Sequence, residues 1–110
     1  MKAAPKFAYV RDERLRAMCR AMACQSCGRA DPDAGVTWAH SNWAEHGKGK
    51  GIKASDIYVA ALCWVCHGLL DQGGTMSQAG KRLMWDRAHL GTVAEGQRLG
   101  LWPADIAVPG

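Results

Sequence analysis

The chain has 110 residues, of which 14 are Lys or Arg and 10 are Asp or Glu, giving a net charge of +4 at pH 7. This length leaves room for one core, which excludes two independently folding domains. No apolar run approaches the roughly 20 residues needed to cross a bilayer, and nothing near the N-terminus resembles a secretory signal, so we expect a soluble cytoplasmic protein that does not bind a membrane.

The positive charge is concentrated near the start of the chain. Through residue 30 there are seven basic residues and two acidic ones. Residues 12–22 carry apolar side chains at helical spacing with arginines opposite them, which predicts a basic N-terminal helix within residues 1–23. The arginine face suits contact with phosphates, and it equally suits a solvated helix surface.

Short elements follow this helix. Gly, Pro and Asp residues predict tight turns at 24–28 and 31–35. β-Branched and aromatic residues predict strands at 36–40 and 56–62. Between the strands, residues 41–52 alternate glycines with lysines, which predicts a flexible, cationic loop.

Two further helices complete the pattern. The first should run from residue 63 toward residue 71 and stop at Gly73-Gly74. The second, capped by Thr75 or Ser77, should run from about residue 78 to residue 90. Its predicted packing residues are Leu83, Met84 and Trp85.

Four of the five cysteines have metal-ligand spacing. Cys24 and Cys27 form one pair, and Cys63 and Cys66 form a second pair, with 35 residues between the two pairs. Each pair lets two thiolates converge from one turn, so two pairs can complete the tetrahedron that zinc prefers. We predict one structural zinc ion, while a redox pair or buried free thiols is the alternative. Cys19 has no partner at this spacing and should lie in the core.

The histidines divide into two kinds. His40 ends the first predicted strand, and His67 lies four residues before Asp71, so that both side chains share one helix face. Imidazole and carboxylate on that face could hold a divalent cation. His89, late in the last helix, fits a structural role.

In these features the chain resembles the HNH, or ββα-metal, nucleases, in particular the small zinc-containing type carried by phages and prophages. The resemblance covers about residues 24 to 72 and depends on the two cysteine pairs, on His40 at a strand end, on Asp56, and on His67 directly after the fourth cysteine. It implies an α+β fold. A zinc-bound ββα core at 24–74 would lie within a single domain of residues 1–110, between the N-terminal helix (1–23) and a C-terminal helix and tail (75–110).

The resemblance also implies roles for individual residues. His40 would be the general base that activates water, and Asp56 would orient it or help to hold a metal ion. His67 with Asp71 would hold a catalytic Mg²⁺ or Mn²⁺, and zinc would bring His40 and His67 to one cleft.

Two positions depart from the family pattern. Ala39 stands where many relatives have an Asp ligand, and Tyr58 stands where many have an Asn. Asn42 and His46 are therefore alternative metal ligands.

The function predicted from these residues is cleavage of DNA with low sequence specificity, in phage recombination or DNA processing inside the bacterial host. Lys48, Lys50 and Lys53 would contact backbone phosphates, and Trp43, like Trp64, would stack on unpaired bases. One alternative is a non-catalytic, zinc-stabilised nucleic-acid-binding module, and another is a protein-interaction module. Nucleases that cut both strands often pair, so a homodimer is also predicted.

Overall fold

The computed structural model describes residues 8–72 and 74–109. These residues form a small α+β fold with two antiparallel strands and three helices, as expected. In chain order the elements are helix α1 (Glu13–Arg20), strand β1 (Val36–His40), strand β2 (Val59–Cys63), helix α2 (Trp64–Gln72) and helix α3 (Gln78–Arg98). The predicted helix stop at Gly73 and the first seven residues of the predicted N-terminal segment lie outside the described residues.

Helix α1 is shorter than the basic segment predicted at residues 1–23. Asp12 has extended backbone and its side chain accepts a hydrogen bond from the Arg14 N–H, so the helix begins at residue 13. Leu15, Met18 and Cys19 form its buried stripe, which confirms the predicted core position of Cys19. The arginines remain on the exposed side.

The two strands pair antiparallel, with Val36 opposite Cys63 and His40 opposite Val59. Strand β1 has the predicted bounds. Strand β2 begins three residues later than predicted, because Tyr58 N–H donates to the Ser55 carbonyl at 3.0 Å and makes a turn ahead of it. Every residue of β2 is buried, so the sheet is covered on both faces.

Because side chains alternate along a strand, the sheet has two distinct faces. One, which we call the α2 face, packs Ala39 and Leu62 against Leu70 of α2 and Trp85 of α3. The other, the α1 face, packs Trp38, Val59 and Ala61 against Leu15 and Met18 of α1. The alanines at positions 39, 60 and 61 let the helices approach closely.

Helix α3 runs to Arg98, well past the predicted end at Leu90. Glycines at 91 and 96 interrupt its helix propensity, but they lie where α3 crosses other parts of the chain. A Cβ at Gly91 would lie 2.8 Å from Gln25 Oε1, and one at Gly96 would lie 2.5 Å from Met18 Sδ. Close packing therefore keeps the helix intact through both positions.

The predicted packing side of α3 is partly wrong. Trp85 is buried, but Leu83 is 52% exposed. Leu83 and Trp85 are two positions apart on the helix and point about 200° apart, so only one of them can face the sheet. None of the helices in the described ranges combines the length and apolar character needed to span a membrane.

Candidate functional site

The four paired cysteines converge on one point. Their sulfur atoms all lie within 4.8 Å of one another. Cys27 Sγ and Cys63 Sγ are 3.8 Å apart, too far for a disulfide. A regular tetrahedron with metal–sulfur arms of about 2.3 Å has edges of about 3.8 Å. In each pair the second cysteine's N–H donates to the first sulfur, at 3.5 Å from Cys27 to Cys24 and at 3.5 Å from Cys66 to Cys63.

The protonation of the cluster also suits a cation. Burial raises the pKa of the Cys66 thiol, and hydrogen bonds with the neighbouring sulfurs raise it further. Burial also raises the pKa of Cys24, but backbone N–H groups of Cys27 and Cys63 outweigh it and lower the value to about 7. Four thiolates cannot share so small a volume without a positive charge between them. The cluster could therefore hold a metal ion such as zinc.

His40 and Asp56 are in direct contact. His40 Nε2 lies 2.8 Å from Asp56 Oδ1, and the two side chains are only 14% and 3% exposed. Burial lowers the pKa of His40, with further lowering by Lys53 and Arg11, against the raising effect of Asp56. The imidazole is therefore neutral near pH 7. Because a carboxylate only accepts, Nε2 carries the proton and Nδ1 has the free lone pair.

Asp56 is held by more than His40. Its Oδ2 accepts the Asp12 N–H at 2.8 Å, and Arg11 Nη1 lies 3.3 Å from Oδ1. Arg11 also donates to the carbonyls of Lys53 and Ala54. The chain before α1 thus anchors the carboxylate from one side, and both oxygens are engaged. These contacts suit orientation of His40, and they leave Asp56 poorly placed to bind a metal ion.

His67 has a defined tautomer. Thr37 Oγ1 donates to the Leu62 carbonyl at 3.0 Å and lies 2.8 Å from His67 Nδ1. Because the hydroxyl proton is already used, Nδ1–H must donate to Thr37, and in the neutral ring Nε2 keeps its lone pair. Nε2 lies 3.2 Å from Asp71 Oδ2, as the predicted four-residue spacing requires. Two acceptors at this distance need a proton or a cation between them.

The two histidines belong to different faces of the sheet. His40 follows Trp38 on the α1 face, with ring centroids 4.7 Å apart. His67 contacts Thr37, whose side chain lies on the α2 face. Three residues of strand separate positions 37 and 40 by about 10 Å. The structure therefore brings together His40 with Asp56 and His67 with Asp71, but it does not place both imidazoles in one cleft.

The cationic loop is more ordered than the alternation of glycines and lysines predicted. Gly49 and Ile52 exchange backbone hydrogen bonds of 2.9 and 3.1 Å, which close a tight turn around Lys50. Lys50 and Lys53 are exposed and Lys48 is half-buried. Lys53 Nζ lies 5.1 Å from the ring centre of Trp38, and thus close to His40.

The two tryptophans predicted to stack on bases differ in access. The Arg82 guanidinium lies 4.4 Å from the ring centre of Trp43, whose centroid is also 5.5 Å from that of Trp85. Arg82 would have to move before a base could stack there. Trp64 is 63% exposed and has an open ring surface.

The alternative metal ligands lie apart from each other. His46 Nδ1 contacts Ser41 Oγ at 2.6 Å and its ring stacks on Tyr58, so it belongs to an aromatic cluster. Asn42 and Asp71 line a shared pocket of about 360 Å³. Of the two, Asn42 is the better placed to supplement His67 and Asp71.

Sequence reasoning missed the residues that position the two histidines. Arg11 belongs to the basic N-terminal segment, and nothing in the sequence indicated that it binds the segment before Asp56. Thr37 was read only as a strand former. Its odd spacing from His40 already indicated the opposite face of the strand, but nothing local indicated that His67 would lie beside it.

The described residues thus define a small α+β protein with a four-cysteine cluster that could hold a metal ion and two separate histidine–carboxylate pairs. Comparisons of the chain with protein-family models, with curated proteins and with solved structures gave no match. Its function has to follow from the chemistry of these side chains.

Proposed function

We propose that this protein is a zinc-stabilised, metal-dependent endonuclease of the HNH type that hydrolyses phosphodiester bonds in DNA. The observation that supports this most is the 2.8 Å contact between His40 Nε2 and Asp56 Oδ1. A neutral imidazole with one nitrogen held by a buried carboxylate is a suitable general base near pH 7.

In the chemical step, His40 acts only as a proton acceptor. Nδ1 accepts a proton from a water molecule, the resulting hydroxide attacks phosphorus, and the bond to the 3′-oxygen breaks with that oxygen leaving. Burial keeps the pKa of His40 below its usual value, so the ring is unprotonated and ready to accept the proton. Lys53, which lowers that pKa through its charge, also lies close enough to attract the phosphate.

The zinc ion and the catalytic cation have different ligands in this proposal. Cys24, Cys27, Cys63 and Cys66 would hold zinc. His67 Nε2 and Asp71 Oδ2 would hold Mg²⁺ or Mn²⁺, with the Thr37 hydroxyl fixing the tautomer of His67. When bound, that cation would offset the negative charge on the phosphate.

A second candidate function is favoured by one observation. Because His40 and His67 lie on opposite faces of the sheet, a nuclease would have to change this arrangement before one phosphate could contact both pairs. Without catalysis, the protein would be a zinc-stabilised nucleic-acid-binding module that uses Lys48, Lys50 and Lys53. Its binding would weaken steeply with salt, because phosphate contacts release counterions.

Nicking of supercoiled plasmid in Mg²⁺ or Mn²⁺ tests the proposal. We expect nicking by the unaltered chain and its loss in His40→Ala, with imidazole in the buffer restoring part of the rate to that variant only. His40→Asn controls for side-chain volume. Equal zinc content and thermal midpoint in all three proteins would show that the loss is chemical.

The results distinguish the candidates. Nicking that persists in His40→Ala at the unaltered rate would remove His40 from the mechanism. Salt-sensitive DNA binding without nicking in either metal would favour the binding module. If Mn²⁺ no longer increases the nicking rate of His67→Ala, and its zinc content is unchanged, the assignment of the second cation to His67 and Asp71 is supported.

The predicted homodimer needs an exposed apolar surface on each chain. Trp85 cannot serve its interface because it is buried, whereas Leu83 and Leu90 of α3 are 52% and 68% exposed. Analytical ultracentrifugation measures the oligomeric state directly.

A further inference from the structure

The two edges of the sheet differ in how many of their outward backbone groups are hydrogen-bonded. On the outer edge of β2, the Val59 carbonyl contacts His89 Nδ1 at 2.9 Å. At the next outward residue, Ala61 N–H donates to Thr92 Oγ1 at 2.8 Å and the Ala61 carbonyl accepts the Gln25 N–H at 2.8 Å. The outer edge of β2 is therefore satisfied by side chains and backbone from α3 and the first cysteine turn.

The outer edge of β1 has no such cover. Since the backbone of Ala61 points away from β1, its partner Trp38 points away from β2, and Val36 and His40 follow the same alternation. Within residues 8–72 and 74–109, no hydrogen bond reaches the outward N–H or C=O groups of these three residues. Strand β1 thus presents alternating unpaired donors and acceptors.

This open edge lies in a positively charged groove of about 440 Å³. Gly35 to Trp38 form its floor, Arg16 and Arg20 of α1 form one wall, and His67 of α2 contributes to the other. None of the described residues that line it is acidic. Arg16 has only a 3.6 Å contact with Glu13, and Arg20 has no ion-pair partner among the described residues.

We propose that this groove binds an extended acidic segment of a partner protein, which adds a third strand beside β1. A peptide strand carries both N–H and C=O groups and can match the open edge, while its acidic side chains would meet Arg16 and Arg20. A DNA backbone offers acceptors but no donors for the outward carbonyls of β1. The chain's own residues 1–7 carry Lys2 and Lys6 and no acid, so their charge does not fit.

This inference does not depend on nuclease activity, because the open edge uses only the backbone of His40 and needs neither its imidazole nor Asp56, and His67 contributes only to the groove wall. The test is fluorescence anisotropy with a labelled peptide of alternating Val and Asp residues. A peptide of about ten residues is long enough to span β1. We expect binding that Arg20→Glu weakens by about tenfold or more. Arg87→Glu, a matched charge reversal on α3 outside the groove, should change the affinity less than twofold, and a Val-Lys peptide should not bind.

Amide hydrogen exchange gives an independent readout of strand addition. The Val-Asp peptide should slow exchange of the Val36 and Trp38 N–H groups by about tenfold or more. Three outcomes would overturn the proposal: no binding of the acidic peptide, equal effects of Arg20→Glu and Arg87→Glu, or unchanged exchange at both amides. Binding of an oligothymidylate that depends on Arg20, with no binding of the peptide, would likewise overturn it and make the groove a nucleic-acid site.

Discussion

Replacement of Cys63 by Ala should remove a large part of the protein's stability. Cys63 is 1% exposed at the junction of β2 and α2, and its sulfur lies 36 residues along the chain from that of Cys27. A metal ion joining the two cysteine pairs closes a loop of about that size, which stabilises the folded state by about 4 kcal/mol through chain entropy alone. The total for a domain of this size is about 5–15 kcal/mol.

Cys19→Ala is the matched control, because Cys19 is equally buried and lies outside the cluster. It should cost about 1 kcal/mol, the loss expected for a small buried group. Urea unfolding measures both variants, and elemental analysis measures zinc per chain. We expect one zinc ion in the unaltered protein and in Cys19→Ala, and none held stably in Cys63→Ala. Equal stability of the two variants, or a zinc-free unaltered protein with the same urea midpoint, would refute the reasoning.

Two further predictions concern charge. Asp56→Asn should destabilise the fold by about 2 kcal/mol, because a buried carboxylate loses charge-assisted bonds from Arg11 and His40; urea midpoints at pH 7 check this, and an unchanged midpoint would contradict it. Burial lowers the pKa of His40, His46 and His89, so the unfolded state binds more protons just below pH 6.5 and stability should fall as pH drops through that range. Thermal midpoints from pH 7.5 to 5.5, with zinc in excess, should fall less steeply for His89→Gln than for the unaltered protein, and parallel slopes would exclude the contribution of His89.

Local pattern was enough to predict some of the structure. The β-branched and aromatic run at 36–40 forms β1 with the predicted bounds, because nothing outside the segment competes with its strand preference. The two cysteine pairs were also predicted from spacing, since each pair lies within one turn. The strand and each pair depend on residues that are close in sequence, whereas the two pairs meet across 36 residues of chain.

Other features depend on contacts between distant parts of the chain. The last helix was predicted to end near residue 90, but tight packing of Gly91 and Gly96 against Gln25 and Met18 carries α3 past both glycines. The anchoring of Asp56 by the segment before α1 joins residues about 44 positions apart. The sequence pattern within one segment cannot predict a contact with a segment so far away in the chain.

The placement of the two histidines shows the same limit within the candidate site. The prediction that His40 and His67 lie close together depended on the zinc site that joins their segments. The alternation of side chains along the strand instead decides which face each one occupies. Counting residues from Thr37 to His40 would have separated the two faces. Finding that His67 lies beside Thr37 required the packing of α2 on the sheet.

The complete burial of β2 bears on how the protein forms during translation. Its five residues are covered by α1 from before it in the chain and by α3 from after it. A nascent chain that has emerged only through α2 would leave Ala60 and Leu62 partly uncovered until Trp85 leaves the ribosome. Folding to the final state should therefore wait until α3 has emerged, and the thiols of the first cysteine pair would be exposed to the surrounding solvent during that interval.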